Sequence, residues 1–253
     1  MQAMNGSLGV VDTITTAVNQ LWAERKTLAW LLILAGFVNG LLDWGLATLV
    51  ESHGWGWYYV LAVLHTLVYT VLAVRVHRLV LGVPNPIQGI VRWSGRETKF
   101  LGWLVVVYFY FFLIMVAFGV VASVVAGIVG VLPSANDSWG MALGVVLVSL
   151  PAAYLLARLS VLLPAIAIDQ KRNLAWAWSL TEGNGWRLVL ILWVLPMLVS
   201  ALLPEVEMSG LIESTAWSLF LGVSTAIQIA LLSVAFKGVG GFTELQEAVP
   251  SAE

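Results

Sequence analysis

Cysteine is missing from this sequence altogether. That excludes a disulfide, a thiolate nucleophile and any cysteine-ligated metal, and it leaves the redox compartment undecided. Charge is nearly as scarce: Asp, Glu, Lys and Arg make up 10% of the 253 residues, against about a quarter in a soluble domain. No polar stretch is long enough to fold alone as a soluble domain. The amino terminus, MQAMNGSLGVVDTITT, lacks a basic region followed by an apolar core, so no cleavable signal peptide is expected. The membrane spans themselves must then direct insertion.

What remains is hydrophobic, at 60% of the chain. Several runs approach or exceed the roughly 20 apolar residues that cross a hydrocarbon core of about 30 Å. The fold class expected is all-α: a single integral membrane domain over 1–253 with six spans, near 28–49, 56–76, 100–131, 139–158, 186–204 and 216–237. On this layout all twelve Lys and Arg residues fall on one side, whereas the opposite loops carry Glu51, Asp137, Glu205, Glu207 and Glu213 with His53. Basic residues mark the cytoplasmic side, which places both termini there.

The even-numbered spans share a ruler. Trp55 stands 20 residues before Arg75, Trp139 stands 19 before Arg158, and Trp217 stands 20 before Lys237. At about 1.5 Å per residue each interval covers roughly 30 Å. Tryptophan suits the outer headgroup level and a basic side chain the inner one. Arg75, Arg158 and Lys237 therefore read as cytoplasmic interfacial anchors, although Arg158 in AYLLARLSVLLPAIAID also reads as a functional charge inside the membrane. Beyond Arg75 and Arg158 the chain stays apolar. Those pieces either extend the helix or lie along the inner leaflet. The third span is too long for one crossing, and tilt, a kink near Gly119 or protrusion would each absorb the excess.

Three short segments ahead of the odd-numbered spans read as amphipathic surface helices. VVDTITTAVNQLW gathers Val10, Ile14, Val18, Leu21 and Trp22 on one side. NPIQGIVRWSG offers Asn85 as N-cap, Pro86 at the first helical position, Ile87, Ile90 and Val91 as the apolar side, and Gly95 as C-terminal cap. NLAWAWSLTEGNG offers Asn173 as cap, Leu174, Ala177 and Trp178 on one face, and Gly183 or Gly185 at the turn. Gly183 and Gly185 thus form a hinge between a surface helix and a span, with Arg187 holding that span at the headgroups. The unit of surface helix, span, loop and span recurs over 10–76, 86–169 and 173–237, which suggests a three-fold repeat. Any membrane protein built of hairpins needs such connectors, so the recurrence alone does not establish one.

ARLSVLLPAIAID followed by AWSLTEGNGWRL, with AVRVHRLVLG earlier, carries a resemblance. The pattern is similar to that of the YciC-like inner-membrane family, related to the membrane domain attached to some glycerophosphodiester phosphodiesterases. The resemblance implies a six-span bacterial inner-membrane protein. It does not imply phosphodiesterase activity, since no catalytic domain accompanies these residues.

No enzyme motif or cofactor site emerges. His53, His65 and His77 fall at three different depths and cannot share a metal. There is no P-loop, and no serine has a histidine and an acid at its own depth. The basic residues are spread among membrane-proximal loops, which argues for anionic lipid headgroups and against nucleic acid. At the midplane, Asn39, His65, Ser149 and Gln228 fall at one depth, where polar groups are costly and should face inward. They read either as glue between helices or as a small polar passage. Asp43, one turn after Asn39, reads as an outer interfacial residue or, if buried, as the best single functional candidate. At the basic end, Trp22, Trp93, Trp176, Trp178 and Trp186 with Arg92, Arg96, Lys171 and Arg172 form a collar. It suits a lipid surface or the docking of another membrane protein or a second copy. The leading reading is a non-enzymatic accessory, scaffold or lipid-interacting envelope protein. The alternative is a transporter or channel for a small molecule or lipid through the midplane cluster. A continuous polar cavity reaching those midplane residues favours the second reading, and a tight interior with a large apolar contact face the first.

Overall fold

Helix is the form expected of a chain that must satisfy its backbone groups without water. The computed structural model describes residues 8–53, 55–83, 93–129, 138–201 and 210–242, and no strand occurs among them. Helix α1 (Val10–Ala23) runs into α2 (Arg25–His53), which forms a hairpin with α3 (Gly56–Leu81). Helices α4 (Gly95–Val129), α5 (Ser138–Leu159) and α6 (Leu162–Ala167) follow. Next come α7 (Leu174–Leu180), α8 (Gly185–Val189), a π-helical turn (Leu190–Val194) and α9 (Leu195–Ala201). The last helix is α10 (Leu211–Gly238). Five helices are long and apolar enough to cross a membrane, and the count is six if α7 and the run Gly185–Val199, which meet at 103°, form one broken span.

Most expected spans lie within these helices, with the limits moved. Helix α3 continues past Arg75 to Leu81, so its apolar tail lengthens the helix. It stops at Gly82, whose φ of 70° supplies the left-handed cap. The excess in the third span is taken up as plain length: α4 holds 35 residues without a break at Gly119, about 52 Å at 1.5 Å per residue.

Three expectations need correction. Gly95 does not close a surface helix; it is the first residue of α4. The reason is Ser94, whose backbone N–H donates to Glu97 Oε2 at 2.8 Å and whose hydroxyl donates to that oxygen while accepting from Arg96 N–H at 3.2 Å. That is a capping box, and it starts a helix where the glycine suggested an end. The rest of the surface helix read in NPIQGIVRWSG, at 85–92, lies outside the described residues. Second, LLPAIA does not lie along a leaflet: all six residues of α6 are buried among α3, α4 and α10. Third, α1 buries Thr13, Ala17 and Leu21, while Val18 and Trp22 are exposed. A stripe of smaller side chains lets α1 approach α10 closely, so it packs on protein along that side.

The most extensive packing joins α2 to α10. Gly36 and Gly40 make it possible. A Cβ on Gly40 would stand 2.6 Å from Thr215 Cα, and one on Gly36 would stand 3.1 Å from Leu219 Cα. Lipid is as apolar as leucine, so backbone proximity of this kind, rather than hydrophobicity, holds membrane helices together.

Candidate functional site

A cleft of about 860 Å³ opens between α3, α4, the α5–α6 region, the π-helical turn and α10. Its walls are mainly apolar, with Leu104, Phe109, Phe112, Leu156, Leu192 and Trp193 among them. Polar groups enter from three helices: His65, Tyr69 and His77 from α3, Tyr108 from α4, Thr225 and Gln228 from α10. Its volume falls in the range of small-molecule sites, about 300–1,000 Å³. The wide turn at 190–194 places Leu192 and Trp193 on its wall, in keeping with the frequent use of π-turns at functional sites.

Of the four midplane residues, the cleft gathers His65 and Gln228. Asn39 is 1% exposed, its amide oxygen without a hydrogen-bond partner among the described residues, and neither it nor Ser149 is on the cleft wall. The partner that His65 does find is Asp43. His65 Nε2 lies 2.8 Å from Asp43 Oδ1, and its Nδ1–H donates to the Leu61 carbonyl at 2.8 Å. Ser218 on α10 donates to the other Asp43 oxygen at 2.5 Å. Asp43 is thus partly buried, its side chain 24% exposed and engaged from two neighbouring helices. Lower on α3, His77 Nδ1 stands 2.7 Å from Ser233 Oγ. Ser233 spends its own proton on the Ile229 carbonyl, so His77 is the donor in that bond.

The basic end is knit by side chains. Arg75, expected as an anchor, is 5% exposed and faces Glu97, which is 0% exposed, at 3.6 Å. Asp169 adopts φ 66°, a conformation aspartate tolerates better than most residues. From there it accepts Arg96 through Nε and Nη2, with Arg78 at 3.6 Å. Arg158 does not snorkel outward either. Its Nε donates to Thr181 Oγ1 at 2.9 Å and its Nη2 to the Trp178 carbonyl, and its guanidinium lies 3.5 Å from the centre of the Trp178 ring. These partners replace headgroups, which is why the arginine can be 6% exposed. Lys237 donates to the Val80 carbonyl at 3.1 Å, satisfying one of the free acceptors at the end of α3.

At the hinge the two glycines divide the work. Gly183 has φ 77°, whereas a Cβ on Gly185 would fall 2.4 Å from the Tyr154 ring. Asn173 caps α7 by accepting from Trp176 N–H at 2.9 Å. Arg187 donates to the Leu8 carbonyl at 3.3 Å, and Asn184 Oδ1 accepts from Leu8 N–H at 2.9 Å, so the hinge also fastens the segment ahead of α1.

Beside this end lies a second pocket, of about 720 Å³, lined by Lys99, Trp103, Asp169, Gln170, Lys171, Arg172 and Trp176. Arg172 sits over the Trp176 ring at 4.9 Å. Of the expected collar, Trp22, Trp93, Trp178 and Trp186 are exposed, and Arg92 lies outside the described residues.

Sequence reasoning missed Ser218, Glu97, Asp169 and Thr181. For Glu97 the SGRE capping pattern was a usable signal. For the α2–α10 contact the signal was GFVNG, a small-xxx-small spacing. Asp169 meets arginines of α3 and α4 and Thr181 meets one of α5, and no local pattern announces that. No family model, no curated protein and no solved structure matches the chain.

Proposed function

We propose that this is a non-enzymatic protein of the bacterial inner membrane that binds lipid, receiving an apolar chain in the cleft and serving envelope lipid handling as an accessory component. The observation that carries this reading is the cleft itself: about 860 Å³ of mainly apolar wall within helices long enough to span a bilayer. Lipid tails are the ligand at hand at that depth. The neighbouring pocket supports the reading at headgroup level. Lys99, Lys171 and Arg172 suit a phosphate, and Trp103 and Trp176 suit the interface. The one-sided distribution of basic residues in the sequence supports a cytoplasmic location for this end and for both termini.

A transport reading is favoured by one observation, the presence of His65 and Gln228 on the cleft wall. The experiment that tests the lipid reading is native mass spectrometry of protein extracted in mild detergent, comparing wild type with Ala73→Phe. Ala73 lines the cleft and is partly buried, so phenylalanine fills it without opening the core. Retained phospholipid should fall about tenfold at unchanged melting temperature, roughly 1.4 kcal/mol of lost binding. Equal retention in both proteins would remove the cleft as the lipid site. Selective passage of a polar solute through wild-type vesicles, abolished by Gln228→Leu, would favour transport.

A further inference from the structure

The arrangement around Asp43 fixes where a proton must be. A carbonyl oxygen can only accept, so the 2.8 Å contact with Leu61 requires the hydrogen on His65 Nδ1. The other ring nitrogen, Nε2, then faces a carboxylate oxygen at 2.8 Å. Two bare lone pairs at that distance repel, so a second proton lies between them. Ser218 completes the arrangement by donating to the opposite carboxylate oxygen. With the shared proton the group is neutral overall; without it the net charge is −1, in a region where charge is costly. The serine bonds the carboxylate and not the imidazole, so the order is not that of a nucleophilic triad.

We propose that Asp43, His65 and Ser218 form a proton-binding site inside the membrane-spanning region, reached from the cleft on its His65 side. Uptake adds one proton from water to the Asp43–His65 pair and takes the site from −1 to neutral; release returns the proton to water. His65 lines the cleft with its side chain 19% exposed, so a proton can reach the pair from there while the three helices stay packed. Among the described residues few ionisable groups share this region: Tyr69 one turn along α3, His77 farther along the same helix in the cleft, Tyr108 on the α4 wall, and exposed Glu213 before Ser218 on α10. Helix α2 brings neutral Asn39, and the π-helical turn brings Trp193.

The test uses the full chain in phospholipid nanodiscs with 15N-labelled histidine, the His65 signals being assigned by their loss in His65→Gln. Expected is a ring that keeps its Nδ1 proton throughout while its Nε2 proton is lost reversibly as the pH is raised. Potentiometry should then show that proton released at lower pH in Asp43→Asn, where His65 holds it without its carboxylate partner. An Nε2 proton that is never lost while the protein stays folded marks a fixed structural bond and overturns the proposal, as does a titration unchanged in Asp43→Asn. Should that variant not fold, Ser218→Ala takes one donor from the carboxylate and must raise proton affinity about tenfold; an unshifted titration overturns the proposal. No bound lipid ligand is needed, so this result and the lipid-retention result stand or fall separately.

Discussion

The span Gly95–Val125 has a mean hydropathy of 2.7, yet only 6% of its most apolar stretch is buried; Ser149–Ala167 has 1.7, and 72% of it is buried. In water the more apolar helix would be the inner one. Here the order is reversed, because lipid accepts apolar side chains as well as protein does. Alanines and close approach mark the inner helix, with Ala152, Ala157, Ala165 and Ala167 all at 0% or 1% exposure. Phe109, Phe112 and Val120, at more than half exposed, mark the outer one. Besides packing on α5 and α6, with Phe100 and Val107 buried, the outer helix is tied at its polar foot, where Glu97 meets Arg75 and Arg96 meets Asp169.

The largest effect should therefore come from that foot and not from the apolar length above it. Glu97→Ala leaves the buried Arg75 guanidinium without its carboxylate, a loss on the order of 3–5 kcal/mol. It should be seen as a steep fall in melting temperature in detergent. A melt unchanged within error would mean that the apolar faces alone hold α4.

The comparison sharpens if one substitution is made in both helices. Ala165→Leu in α6 overpacks a site with 0% exposure and should cost about 1–3 kcal/mol. Ala117→Leu in α4 meets an exposed face and should fall within about 0.5 kcal/mol of wild type. A damaging Ala117→Leu, particularly one that changes the oligomeric state on native gels, would identify the face of α4 as a protein interface.

Smaller differences should separate the two arginines of the hinge region. Lysine in place of Arg158 keeps the charge but loses the stacked plane over Trp178 and the bond to Thr181. A cost of about 1–2 kcal/mol is expected. Lysine in place of Arg187 gives up a single 3.3 Å bond to Leu8 and should cost about 0.5 kcal/mol. Thermal melts of the pair check the order, and a reversal would place a specific contact on Arg187. Gly185→Val should exceed the Arg187 change, since its Cβ meets the Tyr154 ring.

How much of this was legible varies with range. Hydropathy and caps are local, so the spans, the Asn173 cap and the turn at Gly183 could be read from the chain. Depth along a span is also nearly local, and it picked out His65. The partner was missed because depth was counted from the anchors. Counted from the break between α2 and α3, Asp43 and His65 are equidistant, and the hairpin brings them level. With Asp43 as the partner, replacing His65 with leucine strands a carboxylate oxygen and should be destabilising. Which face of each helix meets protein was not legible, because lipid and protein select similar residues.

The wide turn at Leu190–Val194 has one more consequence. It holds one residue more than a regular α-helical path requires, and each residue turns a helix by about 100°. The faces of α8 and α9 therefore follow two separate angular origins, and a single helical wheel drawn through 185–201 assigns half of them wrongly. A homologous chain that closed this turn into ordinary α-helix would reach the same neighbours with one residue fewer. In an alignment of such chains, a one-residue gap at 190–194 would be a mark of common ancestry in three dimensions, not of divergence.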